Sequence, residues 1–102
     1  DISTDVSGFE GTYNVLSSNC RFVKSMDFSK ATLKMEEGAY AAGFTSGKGT
    51  EKSYTFAVGA IAGSGSLGTG TWNIGYLGLD DIFDGSFKSG ATVNKYCFLC
   101  TS

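Results

Sequence analysis

The sequence predicts a mainly β domain of the α+β class: a small antiparallel sheet or barrel with one short helix near the C-terminus. Three observations lead there. Fifteen glycines, eight phenylalanines and five tyrosines, with no proline, are the composition of short strands joined by tight bends. Apolar and polar residues alternate with period two through most of the chain. One stretch alone departs from that period, at Leu79, Ile82, Phe83 and Phe87. At 102 residues, with 41% hydrophobic and 14% aromatic side chains, residues 1–102 form a single domain with material for a core.

Residues 1–8 are polar and read as a loose N-terminal segment. Thr12 to Ser17 is the first strand, with Tyr13 and Val15 on one face and turn chemistry in Gly11 and Ser17-Ser18-Asn19. Phe28 is assigned to a connection or short helical turn. Ala31, Leu33 and Met35 face inward while Thr32, Lys34 and Glu36 face out. Glu37-Gly38 then turns the chain into Ala39 to Phe44, so residues 31–44 read as a hairpin. Ser46-Gly47-Lys48-Gly49 is the next turn. Ser53 to Ala62 is a long strand, and Thr71 to Tyr76 another, placing Trp72, Ile74 and Tyr76 on one face. Between them, Gly63 to Gly70 is a flexible loop. Leu79, Ile82, Phe83 and Phe87 match one face of a helix over 79–88, with Asp80 and Asp81 at its positive end and Lys88 and Gly90 at its close. Thr92 to Thr101 is a last strand. No internal repeat stands out.

Charge removes several function classes. The net charge is −2, and the one arginine and seven lysines form no run, so the concentrated positive charge of a nucleic-acid binder is missing. No apolar run reaches the length of a membrane span. With no histidine, Ser-His-Asp and Cys-His catalysis and most metal sites drop out, which leaves carboxylate chemistry, thiol chemistry and binding; with the candidates for the first two weighed below, no catalytic residue, metal site or cofactor is expected. The N-terminus has neither a basic region nor an apolar one, which fits a mature terminus after signal removal or an intracellular chain. Of three cysteines, a secreted protein would pair two and leave one free or intermolecular, while a cytoplasmic one would keep all three reduced; the oxidised, secreted or extracellular reading is favoured, with a cytoplasmic one as the alternative.

Each candidate group has a structural reading beside the functional one. Cys97-Phe98-Leu99-Cys100 has redox spacing but lies in a β-type run, where thiols three residues apart diverge. Cys20, Cys97 and Cys100 are instead disulfide candidates, with Cys20 bridging to one of the other two. Asp80, Asp81 and Asp84 could form an acidic cluster, and equally a solvated helix start. The glycine loop has no lysine and helix behind it, so it is no phosphate loop; Ser66 and Leu67 at its centre are candidate partner contacts. Trp72 and Tyr76, with Tyr54 and Tyr40, either line a pocket or fill the core.

The opening Gly11-Thr12-Tyr13-Asn14-Val15, with Ser17, Ser18 and Asn19 after it, resembles the first strand of META/HslJ-type domains. Ala31 to Met35 resembles their second strand, and the order of the later elements is similar. Phe9-x-Gly11-Thr12-Tyr13 is also similar to the first strand of lipocalin and fatty-acid-binding barrels. The first resemblance implies a non-enzymatic protein linked to stress or virulence, and neither carries over an active residue. The expected function is therefore a non-enzymatic binding protein, such as a secreted inhibitor or effector acting on a protein partner. A calycin-like carrier of small hydrophobic ligands and a structural or assembly subunit, hence a homo-oligomer, are the alternatives.

Overall fold

The computed structural model describes residues 2, 3, 5–45, 47, 50–77, 82, 83 and 85–95. Over these the chain forms ten strands and no helix: β1 (Gly11–Val15), β2 (Cys20–Phe22), β3 (Met26–Met35), β4 (Tyr40–Gly43), β5 (Thr55–Gly63), β6 (Ser66–Leu67), β7 (Gly70–Ile74), β8 (Ile82–Phe83), β9 (Ser86–Phe87) and β10 (Ala91–Lys95). Every pairing between them is parallel. One sheet runs β1-β3-β5-β7-β10 with β8 also on β5, and the other runs β2-β4-β6-β9.

Except for β7 and β8, which both lie in the first sheet, consecutive strands alternate between the two sheets, and the chain winds as a solenoid. Gly11 meets Ala31, Ala62 meets Ile82 and Ser66 meets Ser86, each one circuit of 20 residues later. The two long strands each serve two walls. In β3 the inward positions are Met26 and Phe28, then Ala31, Leu33 and Met35, and the pairing with β5 shifts register between Phe28 and Thr32. That slip is where the wall bends. β7 pairs only the first half of β5, while β8 pairs only its end. Three walls result. The first stacks β1, the ends of β3 and β5, and β8. The second stacks β2, β4, β6 and β9. The third stacks the starts of β3 and β5, then β7 and β10.

Inward side chains from the three walls fill the middle. Trp72, Phe22, Phe28 and Phe56 are fully buried with Leu33, Met35, Val58 and Leu67. They stack in columns that follow the register, so that Met26, Phe56, Trp72 and Val93 lie in one line. The Phe56 and Trp72 rings stack 4.3 Å apart at 22°, and Phe22 links both Phe28 and Phe56. Gly63 turns one corner with φ +95°, and a Cβ there would lie 2.0 Å from the Met35 carbonyl oxygen. Only glycine fits both conditions.

The antiparallel sheet and the C-terminal helix are thus corrected. Alternation shows which face of a strand is buried, and that pattern is the same for parallel and antiparallel partners. The Glu37-Gly38 turn does not fold a hairpin; it carries the chain round a corner from β3 in one sheet to β4 in the other. The helical spacing has the same origin. Phe83 and Phe87 lie in two-residue strands on adjacent walls either side of Gly85, and their rings meet at 5.4 Å across that corner. Phe28 is in strand β3, not a helical turn. Leu79, Asp80, Asp81 and Asp84 lie outside the described residues, as does everything after Lys95.

Candidate functional site

A solenoid wall shows its non-core residues to solvent in columns, because each strand repeats the alternation of the one below it. On the third wall, Trp72 and Ile74 point inward, so Thr71 and Asn73 point out. The register sets Thr55 against Thr71 and Thr71 against Thr92. It also sets Asp27 against Ala57, Ala57 against Asn73, and Asn73 against Asn94. Ser25 continues the threonine column below, where its hydroxyl accepts the Thr55 backbone N–H at 3.0 Å.

The outer face is thus two parallel columns, Ser25–Thr55–Thr71–Thr92 and Asp27–Ala57–Asn73–Asn94. All eight residues are exposed or half-buried. Adjacent members of a column are separated by one strand spacing, about 4.8 Å, and the two columns by two residues, about 6.6–6.8 Å. β5, β7 and β10 stack here without a register shift. The amide of Asn94 donates to the Asn73 side-chain oxygen at 2.9 Å, which locks the top of the second column. Asp27, in the lowest strand, is the only charged member; its carboxylate accepts the Ser29 backbone N–H at 2.8 Å.

The first wall begins the same way and then changes. Thr12 lies against Thr32, and Asn14 against Lys34, but the next strand offers Ala60 and Ala62, both buried. A charge and two covered alanines leave no continuous ladder there. The second wall places Ser66 opposite Ser86, their hydroxyls 3.0 Å apart.

The residues singled out in the sequence do not form one site. Trp72 is fully buried, and its indole N–H donates to the Gly68 carbonyl oxygen at 2.9 Å. Leu67 is also fully buried, whereas Ser66 is half-buried and Tyr76 is exposed. Cys20 is buried in β2, and burial pushes its thiol up to about 11. Cys97 and Cys100 lie outside the described residues. Tyr40 and Thr69 both donate to the Glu51 carboxylate, which ties the connection before β5 back to the solenoid. Partial burial, and then Glu51, raise the Tyr40 hydroxyl above its ordinary range.

A surface groove of about 370 Å³ lies at the other end, between Tyr13, Asn14, Leu16, Asn19 and Arg21 among others. Among the described residues, no three acidic or cysteine side chains converge as metal ligands, and no helix is long and apolar enough to cross a membrane. Searches against family models, curated proteins and solved structures found no match to this chain.

The ladder has a sequence signal that period-two reading passes over. Gly11-Thr12-Tyr13-Asn14-Val15 recurs as Gly70-Thr71-Trp72-Asn73-Ile74, and again as Thr92-Val93-Asn94 after Gly90. Thr32-Leu33-Lys34 and Thr55-Phe56-Ala57 are looser copies. A threonine, an inward apolar residue and an outward polar one are one strand of a solenoid, and their return at about 20-residue steps is the repeat.

Proposed function

We propose that this chain is a non-enzymatic binding module that meets its partner through the outer face of the third wall. The observation that carries this reading is the pair of in-register columns, Thr55–Thr71–Thr92 and Ala57–Asn73–Asn94. Their backbone is held by the stacked strands, so little ordering entropy opposes contact. A regularly spaced and nearly uncharged surface complements a partner that is itself regular and uncharged. An inhibitor or effector gripping a single protein would rely on buried aromatic anchors. The aromatic rings of this wall, Phe56 and Trp72, point into the core instead.

The test is partition onto ordered solids. The purified chain is mixed with crystalline cellulose, with crystalline chitin and with growing ice, and the bound fraction is measured. The same is done for a Thr71→Arg/Thr92→Arg variant, whose fold is checked by circular dichroism and melting. The parent is expected to bind at least one solid and the variant none. A parent that stays in solution with all three, or a variant that binds as well as the parent, overturns the proposal.

A second reading, an assembly subunit, is favoured by the exposed Phe87 and Val93 in the last strands of their walls. Among the described residues these two strands are the edges of their sheets, and exposed apolar side chains at a β edge invite a second copy. A native mass that rises with concentration, and falls back in Phe87→Ser/Val93→Ser, would support it; a monomer at all concentrations would count against it.

A further inference from the structure

Resting on that binding face, we infer that the ordered partner is ice, recognised by the threonine and asparagine columns of the third wall. Four features of the face select crystalline water over other regular surfaces.

The first is spacing. Hydroxyls repeat at about 4.8 Å up the column, and the neighbouring column stands about 6.6–6.8 Å away. These distances are of the size of the oxygen rows exposed on a prism face of hexagonal ice. The match extends over Thr55, Thr71 and Thr92 because β5, β7 and β10 stack with no bulge.

The second is charge. An ice lattice carries no net charge and no counterions, and a charged side chain keeps its own tight hydration shell. The three upper strands present Thr55, Ala57, Thr71, Asn73, Thr92 and Asn94, with no charged group. The single carboxylate, Asp27, sits in the lowest strand and is already turned to the Ser29 backbone.

The third is side-chain chemistry. Threonine sets a methyl group beside a hydroxyl, so each site can order water around the methyl and anchor it through the oxygen. β-Branching leaves its χ1 stiff, which keeps the columns aligned. The Asn73–Asn94 hydrogen bond does the same for the second column.

The fourth feature distinguishes ice from carbohydrate. Sugar faces are bound by stacking on aromatic side chains, and no aromatic residue belongs to either column. The exposed aromatic side chains Phe9, Tyr76 and Phe87 stand outside both columns.

Ice affinity decides the matter. The full chain is placed in a solution frozen slowly from a cold surface, and its concentration in the ice is compared with that in the remaining liquid. The growth of a single crystal is followed below its melting point in parallel. The parent should be enriched in ice several-fold over a size-matched control protein and should facet the crystal. Thr71→Arg should reduce enrichment to the control level, while Thr12→Arg on the first wall should leave it unchanged. Circular dichroism confirms that both variants fold. Exclusion of the parent from ice with retention on cellulose or chitin would overturn ice as the partner and keep the binding face. Exclusion from all three would overturn both. Equal losses in Thr71→Arg and Thr12→Arg would overturn the assignment to the third wall.

Discussion

Replacing Trp72 tests the packing of the solenoid directly. The side chain is fully buried, stacks on Phe56 at 4.3 Å, and donates its N–H to the Gly68 carbonyl. Truncation to alanine removes the ring and leaves a cavity, at a cost of about 3–5 kcal/mol. That approaches the total stability of a small domain, about 5–15 kcal/mol. Trp72→Phe keeps most of the volume and the stack but leaves the buried Gly68 oxygen without its indole donor, at a cost of about 1–3 kcal/mol. A loss of about 2 kcal/mol lowers Tm by roughly 8–16 °C in a domain of this size. Thr71→Val is the control on the same strand. Its side chain points outward, so the shift should stay within about 0.5 kcal/mol. Melting followed by circular dichroism gives the order parent, Thr71→Val, Trp72→Phe, Trp72→Ala. Trp72 is the only tryptophan, so its emission should also be blue-shifted and poorly quenched in the folded state. A Trp72→Ala variant that melts with the parent, or a freely quenched emission, would refute the packing described above.

Three further outcomes are expected. Gly63→Ala should destabilise more than an alanine at exposed Gly8, because the new Cβ meets the Met35 carbonyl and the backbone is at φ +95°; equal melting temperatures would contradict the corner geometry. Burial raises the Cys20 thiol from 9.0 to about 11, so its contribution to stability is fully present below pH 9 and is lost as pH rises through 11. The difference in melting between parent and Cys20→Ala should therefore shrink across that window, and alkylation mapped by mass spectrometry should reach Cys20 only after unfolding. Glu51→Gln should lower the Tyr40 titration toward its ordinary range without reaching it, since partial burial is the larger cause and persists. Ring-carbon NMR shifts through the titration provide the measurement, and an unmoved Tyr40 would break the Glu51 contact.

Strand content was legible in the residues because alternation responds to local burial. Thr12 to Ser17, Ser53 to Ala62 and Thr71 to Tyr76 each fall within one or two residues of β1, β5 and β7. The inward placement of Trp72, Leu33 and Met35 follows from the same pattern. The opening Gly11-Thr12-Tyr13-Asn14, which resembled other families at the level of sequence, is one strand of this chain's own repeat. That repeat was hard to see because circuits differ in length. Gly11 meets Ala31 after 20 residues, but Thr32 meets Ala60 after 28, where the connection held by Glu51 is inserted.

The sequence by itself determined the inward face of β1, the second half of β3, and β7, and that neither a run of positive charge nor a histidine is present. Only the tertiary structure decided the direction of pairing. Alternation along one strand carries no information about the strand beside it, and a glycine turn looks the same whether it reverses the chain or carries it round a corner. The same reason hid the binding face. Thr55, Thr71 and Thr92 are unremarkable singly, and become a column only when parallel stacking in one register sets them one strand spacing apart.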